Sequence, residues 1–569
     1  MRVWMLRYVF VSTLFICSYV HAVGSLPGSV EPGRVQQNYL PKTLTPPRAT
    51  APHGAQPATP TPEKLGEKAK KVKFKLKEVI LKGNKVISTK ELSSLYQNKI
   101  NKLISVQDLL VIVQSITNYY RNKGYILSQA ILPPQTVNQG IVKIQIVEGY
   151  FNKIKILGNP RGAKRQIMKY GQKILEDRPI QLKTLEHYMY LTNTIPGASI
   201  KAVTEPSKTI PGAADLNLVV EEKLVNLYLS YDNYGTLYLG PHQITGVISL
   251  NSIFLSGDVT RLTYLTATHD GKELRYGDIS YSIPLASNGL QLTLDGNKSL
   301  TMPGFKLKPL NTRGSAATYT VTLQYPIIAK PDQNLTLSAA MIYLNSVSTQ
   351  LQKLLYDDRI RPLQLGAAYT FADSYKGSNI MSVQLMHGFD IWDAANDPHS
   401  LLTSHFGADA IYTKWNAQAT RVQGLFDRFS ANITAQGQYS YNPLLVEEQY
   451  GFGGSVIGRG YDPAEILGDD GVGGSFELRM DTNPATMLVN TAQYYMFYDA
   501  GKVWDKQKHA GVPQNMSATS AGFGVRFSMK KFITGNVMIT QVLTKPVAAE
   551  ALIGRGKCPR LFFSVVASD

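Results

Sequence analysis

Apolar side chains recur at every second position through much of residues 224–569. Val225, Leu227, Leu229 and Tyr231 form one such run; Ile279, Tyr281, Ile283 and Leu285 another; Tyr319, Val321, Leu323 and Tyr325 a third; Leu335, Leu337, Ala339, Met341 and Tyr343 a fourth. The positions between them are often Ser, Thr, Asn or Gln. A period of two puts one face of a strand in apolar surroundings and the other in polar ones. Turns rich in Gly, Asn, Asp and Pro separate about sixteen such segments, roughly 22 residues apart, near the spacing of membrane-spanning strands about ten residues long. A soluble sandwich of this length is unusual, and no blade-length repeat points to a propeller. An even strand number also closes without leaving edges. The alternation therefore predicts a transmembrane β-barrel of about 16 antiparallel strands over 224–569.

Upstream, over 72–223, the period keeps switching. Phe74–Leu81 alternates and reads as a strand, and Gly83-Asn84 as a turn. Ser88 with Glu91, then Ser105, open helical stretches, the second carrying Leu109, Ile112, Val113, Ile116 and Tyr120 at helical spacing until Gly124 stops it. Tyr125–Leu132 and Ile141–Val147 read as strands. The order then repeats, with strands at Asn152–Leu157, Ser199–Thr204 and Asp215–Glu222, and helices at Gly162–Leu175 and Leu182–Asn193. Gly83-Asn84 and Gly158-Asn159 fall 75 residues apart at matching points. The pattern predicts a duplicated α+β module, 72–149 and 150–223.

Residues 23–71 carry Pro27, Pro32, Pro41, Pro46, Pro47, Pro52, Pro57, Pro60 and Pro62, which favours a tether, with room for a short helix near 32–39 started by proline. Residues 1–22 have Arg2 and Arg7, an apolar stretch and a small-residue exit at Val20-His21-Ala22, the pattern of a secretory signal peptide. Its removal leaves Cys558 alone, so the sequence predicts an exported chain without a disulfide, and no Cys/His metal spacing is present.

Composition narrows the classes further. Only 18% of the 569 residues are charged, against about 25% in ordinary soluble proteins, and tyrosine is abundant at 32. An apolar content of 44% excludes a disordered chain. No apolar run approaches the roughly 18 residues a spanning helix needs, and mean hydropathy is −0.12. Of the net +18, the modules supply most: 72–223 holds 23 basic and 11 acidic residues, whereas 224–569 holds 27 of each. The basic set Lys153, Lys155, Arg161, Lys164, Arg165 and Lys169 suits steering of an acidic partner, proximity to anionic lipid, or a solvated face. No His-Glu-x-x-His, Gly-x-Ser-x-Gly or phosphate-loop motif occurs, so no enzyme, metal or cofactor is expected, and export makes nucleic acid an improbable partner. Glu447-Glu448 and Asp469-Asp470 read as solvated loop charges.

Ordered motifs then carry a resemblance. Tyr119-Tyr120-Arg121-Asn122-Lys123-Gly124-Tyr125, Leu132-Pro133-Pro134-Gln135, Gly140 and Val147-Glu148-Gly149 resemble the ShlB-type POTRA domain. Leu185-Glu186, Asn193, Ile195-Pro196-Gly197 and Gly212 with Asp215-Leu216 resemble a second POTRA domain. Arg459-Gly460-Tyr461, Glu477-Leu478-Arg479 and the stretch from Phe497 through Asp499 and Gly501 to Trp504 resemble the two signature segments of TpsB two-partner secretion transporters (ShlB/FhaC/HecB-like), within the Omp85 superfamily. Pro32-Gly33-Arg34-Val35-Gln36-Gln37 resembles that family's N-terminal helix. The resemblance implies two periplasmic POTRA domains before a 16-stranded outer-membrane barrel. It also implies secretion of one large β-helical TpsA exoprotein without ATP, and a helix plugging the pore at rest.

Arg459 lies in a glycine-dense stretch with Gly451, Gly453, Gly454, Gly458 and Gly460, inside an expected inward-folding loop 451–471. By spacing alone, an exposed arginine near Asp462 or Asp469 is the favoured reading over a buried one, because solvated charge is the ordinary case. The resemblance pairs Arg459 with Asp499, on a strand face shared by Phe497 and Gly501. It assigns the loop motif to Gly458, Gly460 and Tyr461, and the POTRA motif to Tyr120, Gly124, Pro133, Pro134, Gln135 and Gly149. Gly458 departs from the family, which more often has a hydrophobic residue there. The last strand, Leu561–Ala567, ends in Ser568-Asp569 and not in the usual aromatic residue. Expected partners are a TpsA-type cargo (haemolysin, adhesin or contact-dependent toxin), outer-membrane lipid, and the barrel assembly machinery for the chain's own insertion. Alternative functions are an Omp85-type barrel assembly factor, which usually carries more POTRA modules, and a passive channel, which needs none.

Overall fold

The computed structural model describes residues 26–40, 72–268, 271–484, 489–507, 513–530 and 532–569. The expected signal peptide and residues 41–71 of the tether lie outside them.

In the first module the helix Val106–Asn122 is closed at its start by a reciprocal capping box, Ser105 with Asp108. Its apolar stripe, Leu109, Ile112, Ile116 and Tyr120, packs on Val142, Ile144 and Ile146. Those three alternate along Ile141–Val147, the centre of a three-stranded sheet, parallel to Glu78–Lys82 and antiparallel to Gln129–Ile131. The single strand expected at Phe74–Leu81 is two. Lys73–Lys75 pairs with Leu103–Ser105 in a separate small sheet, and the chain changes sheets at buried Leu76, whose N–H donates to the Lys102 carbonyl. The expected strand Tyr125–Leu132 shrinks to Gln129–Ile131, because Tyr125 N–H donates to the Tyr120 carbonyl at the helix end and Ser128 N–H to the Tyr125 carbonyl in the turn that follows.

The second module repeats the plan. Ala214–Glu222 lies between Phe151–Gly158, parallel, and Ala198–Pro206, antiparallel. The helices Lys164–Glu176 and Leu182–Asn193 cover one face; the first starts two residues later than Gly162, because Arg161, Gly162 and Ala163 give their N–H groups to the Glu222 carboxylate. The duplication has a stereochemical core. Gly83 and Gly158 both have φ near +90°, and a Cβ would meet a central-strand carbonyl in each, Ile146 O at 2.2 Å and Val220 O at 2.3 Å. Only glycine tolerates both conditions.

From Val225 the chain runs as sixteen antiparallel strands, each paired with its sequence neighbour, and closes where Arg560–Ser568 pairs with Val225–Asp232. The eighth strand is split into Lys353–Ile360 and Pro362–Ala372 around buried Arg361. The apolar runs face outward: Leu229 is 55% and Tyr319 58% exposed. Their polar neighbours face in. This inversion of a soluble core is what a lipid-facing band requires, and closure satisfies every strand's backbone groups. The second module docks on the near rim: Gln166 N–H donates to Ser256 Oγ at 3.0 Å, and Ser256 Oγ to the Gly162 carbonyl at 2.7 Å.

Candidate functional site in the barrel lumen

The segment joining strands Phe429–Ser440 and Asp470–Thr482 folds back into the barrel. It spans 441–469, so the expected 451–471 starts ten residues too late and ends inside a strand. A short hairpin, Tyr450–Phe452 with Ile466–Gly468, stiffens it. Between the two arms, Gly458 adopts φ +77°, and a Cβ there would lie 2.8 Å from the Phe452 ring. The departure from a hydrophobic residue at 458 therefore has a local cause: this loop leaves no room for a side chain.

That turn aims two consecutive N–H groups at one carboxylate. Gly458 and Arg459 donate to Asp499 Oδ2 at 3.0 and 2.9 Å. The Arg459 guanidinium adds Nε to Oδ2 at 3.0 Å and Nη2 to Oδ1 at 2.9 Å. Its Nη1 donates to Glu477, Nη2 also to Ser475 Oγ at 2.8 Å, and its plane lies 3.6 Å over the Phe497 ring. Arg459, Glu477 and Asp499 are 5%, 2% and 0% exposed. Burial opposes the arginine's charge, but the hydrogen bond and field of Asp499, then Glu477, outweigh it and push its pKa up. The two solvent-side alternatives are occupied elsewhere: Asp462 accepts from Arg560 at 2.8 Å, and Asp469 from the N–H groups of Leu444 and Lys506 at 2.8 and 2.9 Å. Gly460 N–H meets Ser520 Oγ at 3.3 Å, Tyr461 OH donates to the carbonyl of Lys545 at 2.9 Å, and Gly501 lies against Phe452.

The motif Glu477-Leu478-Arg479 was legible in the sequence, but its role as a hub was not. Glu477 accepts from Arg459, from Arg479 Nε at 2.6 Å, and from Arg526 Nη1 and Nη2 at 2.7 and 3.0 Å. Period two along Asp470–Thr482 puts Ser475, Glu477 and Arg479 on one inner face, which was the available signal. Glu447-Glu448 and Asp469 are not solvated: they are 1%, 7% and 0% exposed, because the loop carries them into the lumen, where Glu448 meets Lys414 at 2.7 Å.

The N-terminal segment lies inside the barrel as well. Pro32–Arg34 is a 3-10 turn and Val35–Tyr39 a short helix. Ser299 Oγ donates to the Pro32 carbonyl at 2.6 Å. Arg34 Nη1 donates to the carbonyls of Val446 and Gln449 at 2.7 and 2.8 Å, and Val35 packs in a cluster with Leu265 and Tyr276. Tyr356 OH donates to Glu31. Burial, and next the Glu447 carboxylate, push the Glu31 carboxyl up to about 8.

The first-module motif residues make their side-chain hydrogen bonds within that module. Tyr120 OH donates to Glu148 at 3.0 Å, and the same oxygen accepts from the N–H groups of Lys85 and Val86. Gly124 ends the long helix, and Gly149 abuts the Leu127 carbonyl. Pro133 and Pro134 follow the end of the strand Gln129–Ile131. The Gln135 side chain then continues the pairing, accepting from Lys143 N–H at 2.8 Å and donating to its carbonyl at 2.7 Å.

Comparison with known proteins accords with this architecture. The family described as "Haemolysin secretion/activation protein ShlB/FhaC/HecB" matches residues 212–527, and "POTRA domain, ShlB-type" matches 74–149. The heme/hemopexin transporter protein HuxB of Haemophilus influenzae (strain 86-028NP) is 23% identical over 482 residues, 83% of this chain and 84% of its own. The outer membrane transporter CdiB of Dickeya dadantii is 21% identical over 474 residues, 79% of this chain and 80% of its own. The solved structure of CdiB from Escherichia coli superposes with a TM-score of 0.72 at 18% identity, covering 96% of this chain and 100% of that one.

Proposed function

The chain belongs to the ShlB/FhaC/HecB family of haemolysin secretion/activation proteins, TpsB transporters of the Omp85 superfamily, and from that premise we propose that it exports one large β-helical exoprotein through its own barrel. It is an outer-membrane barrel with its N-terminal POTRA domains in the periplasm. The observation that carries the reading is a closed barrel whose lumen holds a loop clamped by Arg459 on Asp499 and a separately inserted N-terminal segment.

The POTRA modules act as receptor. Their sheets end in the strands Glu78–Lys82 and Ala198–Pro206, whose outer edges suit addition of an extended cargo strand. The excess of basic residues over 72–223 draws an acidic cargo segment toward those edges. The segment 32–39 is the plug, and its departure opens the way through. Arg459 holds the loop in one orientation: a guanidinium clamped from two sides fixes both position and angle. Folding of the cargo outside makes its return unfavourable, so no nucleotide is needed. The barrel assembly machinery inserts the chain itself.

The experiment is co-expression with a candidate large TpsA-type exoprotein, comparing its release into the medium with and without the transporter. Equal release in both would overturn the exporter reading.

A further inference from the structure

The lumen retains a cavity of about 480 Å³ between the inserted segment, the folded loop and one arc of the wall. Thr320, Gln364, Gln384, Asn416, Gln418 and Gln436 line that arc. Register sets the amides in rungs: Gln384 stands opposite Asn416, which stands opposite Gln438, while on the next inward row Ser382 stands opposite Gln418 and Gln418 opposite Gln436. The charged side chains on the cavity, Arg34, Lys414, Glu447 and Glu448, come from the inserted segment, the folded loop and the first residues of one strand after its loop. Lys414 and Glu448 satisfy each other. The adjoining arc holds its charges in internal pairs, on Glu477 and Asp499. Gln364, Gln384 and Gln418 make no side-chain hydrogen bond among the described residues, and they are half-buried, so their amides remain free.

A carboxamide offers a donor and an acceptor on one rotatable group, so it pairs with a peptide backbone in any register. A fixed charge would instead hold opposite charges and repel like ones at short range. The wall already faces such a stretch: Gln36, Gln37 and Asn38 of the inserted segment border the same cavity, and Asn297 reaches Gln36 at 3.4 Å. We propose that this amide-lined arc is the track on which an extended, charge-poor stretch of the secreted polypeptide slides once the segment 32–39 has left. The proposal rests on the exporter reading and specifies which face of the conduit handles the cargo. Neutral hydrogen bonds exchange readily with water, so the arc guides without trapping.

The test inserts charge while keeping shape. Q384E/Q418E/Q436E should slow export of the co-expressed exoprotein at least about tenfold, whereas Q384N/Q418N/Q436N, which keeps the amides, stays near wild type; heat-modifiable migration reports that each barrel folds. Export by the glutamate variant at the wild-type rate, or equal loss in both variants, overturns the track. A second arm needs no exoprotein. Full-length protein in planar bilayers receives a synthetic peptide of repeating Gly-Ser-Asn-Gln-Thr on the periplasmic side. The wild-type pore should show transient current blocks that shorten about tenfold in the glutamate variant, and blocks of equal length in both would overturn the proposal. If wild type releases no exoprotein but the peptide blocks differ as stated, the exporter reading fails while the track stands.

Discussion

Arg459 and Asp499 are joined through main chain as well as side chain: one carboxylate oxygen collects the N–H groups of Gly458 and Arg459 together with the arginine Nε. The two partners are therefore not equivalent. Arg459→Ala keeps two of the four bonds to that carboxylate, and Asp499→Ala loses all four. Removing one member of a buried pair costs about 3–5 kcal/mol. Both variants should secrete poorly from a folded barrel, and limited proteolysis should cut the loop faster in Asp499→Ala. Normal export by both would sink the role given to the clamp.

Glu477 compensates three guanidinium groups with one carboxylate. Glu477→Gln keeps the shape but leaves Arg459 with Asp499 alone, and Arg479 and Arg526 without an ion partner among the described residues. Heat-modifiable migration should show the barrel opening at a lower temperature, with Glu477→Ala lower still. An unchanged opening temperature in both would remove Glu477 from the hub.

Glu31 makes seating of the N-terminal segment in the lumen sensitive to acid and base. Its carboxyl titrates near 8 when seated and near 4.5 when released, so the seated form binds the proton more tightly. Seating is fully supported below about pH 4.5 and loses that support as pH rises toward 8. Tyr356, Arg34 and Glu447 face this carboxyl. Pore opening in planar bilayers should rise across that interval, and Glu31→Gln, neutral throughout, should flatten the rise. A wild-type profile independent of pH would contradict the assignment.

Gln135 substitutes its side chain for a missing strand residue. Gln135→Ala removes two hydrogen bonds to Lys143, each worth about 1 kcal/mol net. Amide exchange on the full-length protein should accelerate at Lys143 and spread toward Gln145, while the barrel amides hold. Unchanged exchange at Lys143 would show that the side chain contributes nothing to the sheet.

Period two along Tyr319–Tyr325 is a property of neighbouring residues, so the barrel was legible before any contact was known. The helical stripe Leu109–Tyr120 and the matched turns at Gly83 and Gly158 are equally local, and they revealed the duplicated module. Leu76 was not legible: the run through it alternates without a break, and only competition between two sheets divides it. The candidate pair was half legible. Ordered motifs brought Arg459 and Asp499 together as names, but their solvent-side rivals were excluded only when Arg560 took Asp462 and the loop's own backbone took Asp469.

What the sequence determined by itself was the material of each zone, because the preferences for strand, helix and turn act over a few residues. Tertiary structure decided which polar groups lose water. Glu447, Glu448 and Asp469 look like solvated loop charges until the loop enters the lumen, and the short stretch around Arg34 looks like tether until the wall receives it. Burial is a property of the closed barrel as a whole, and the free energy of a charge depends on whether water or protein surrounds it.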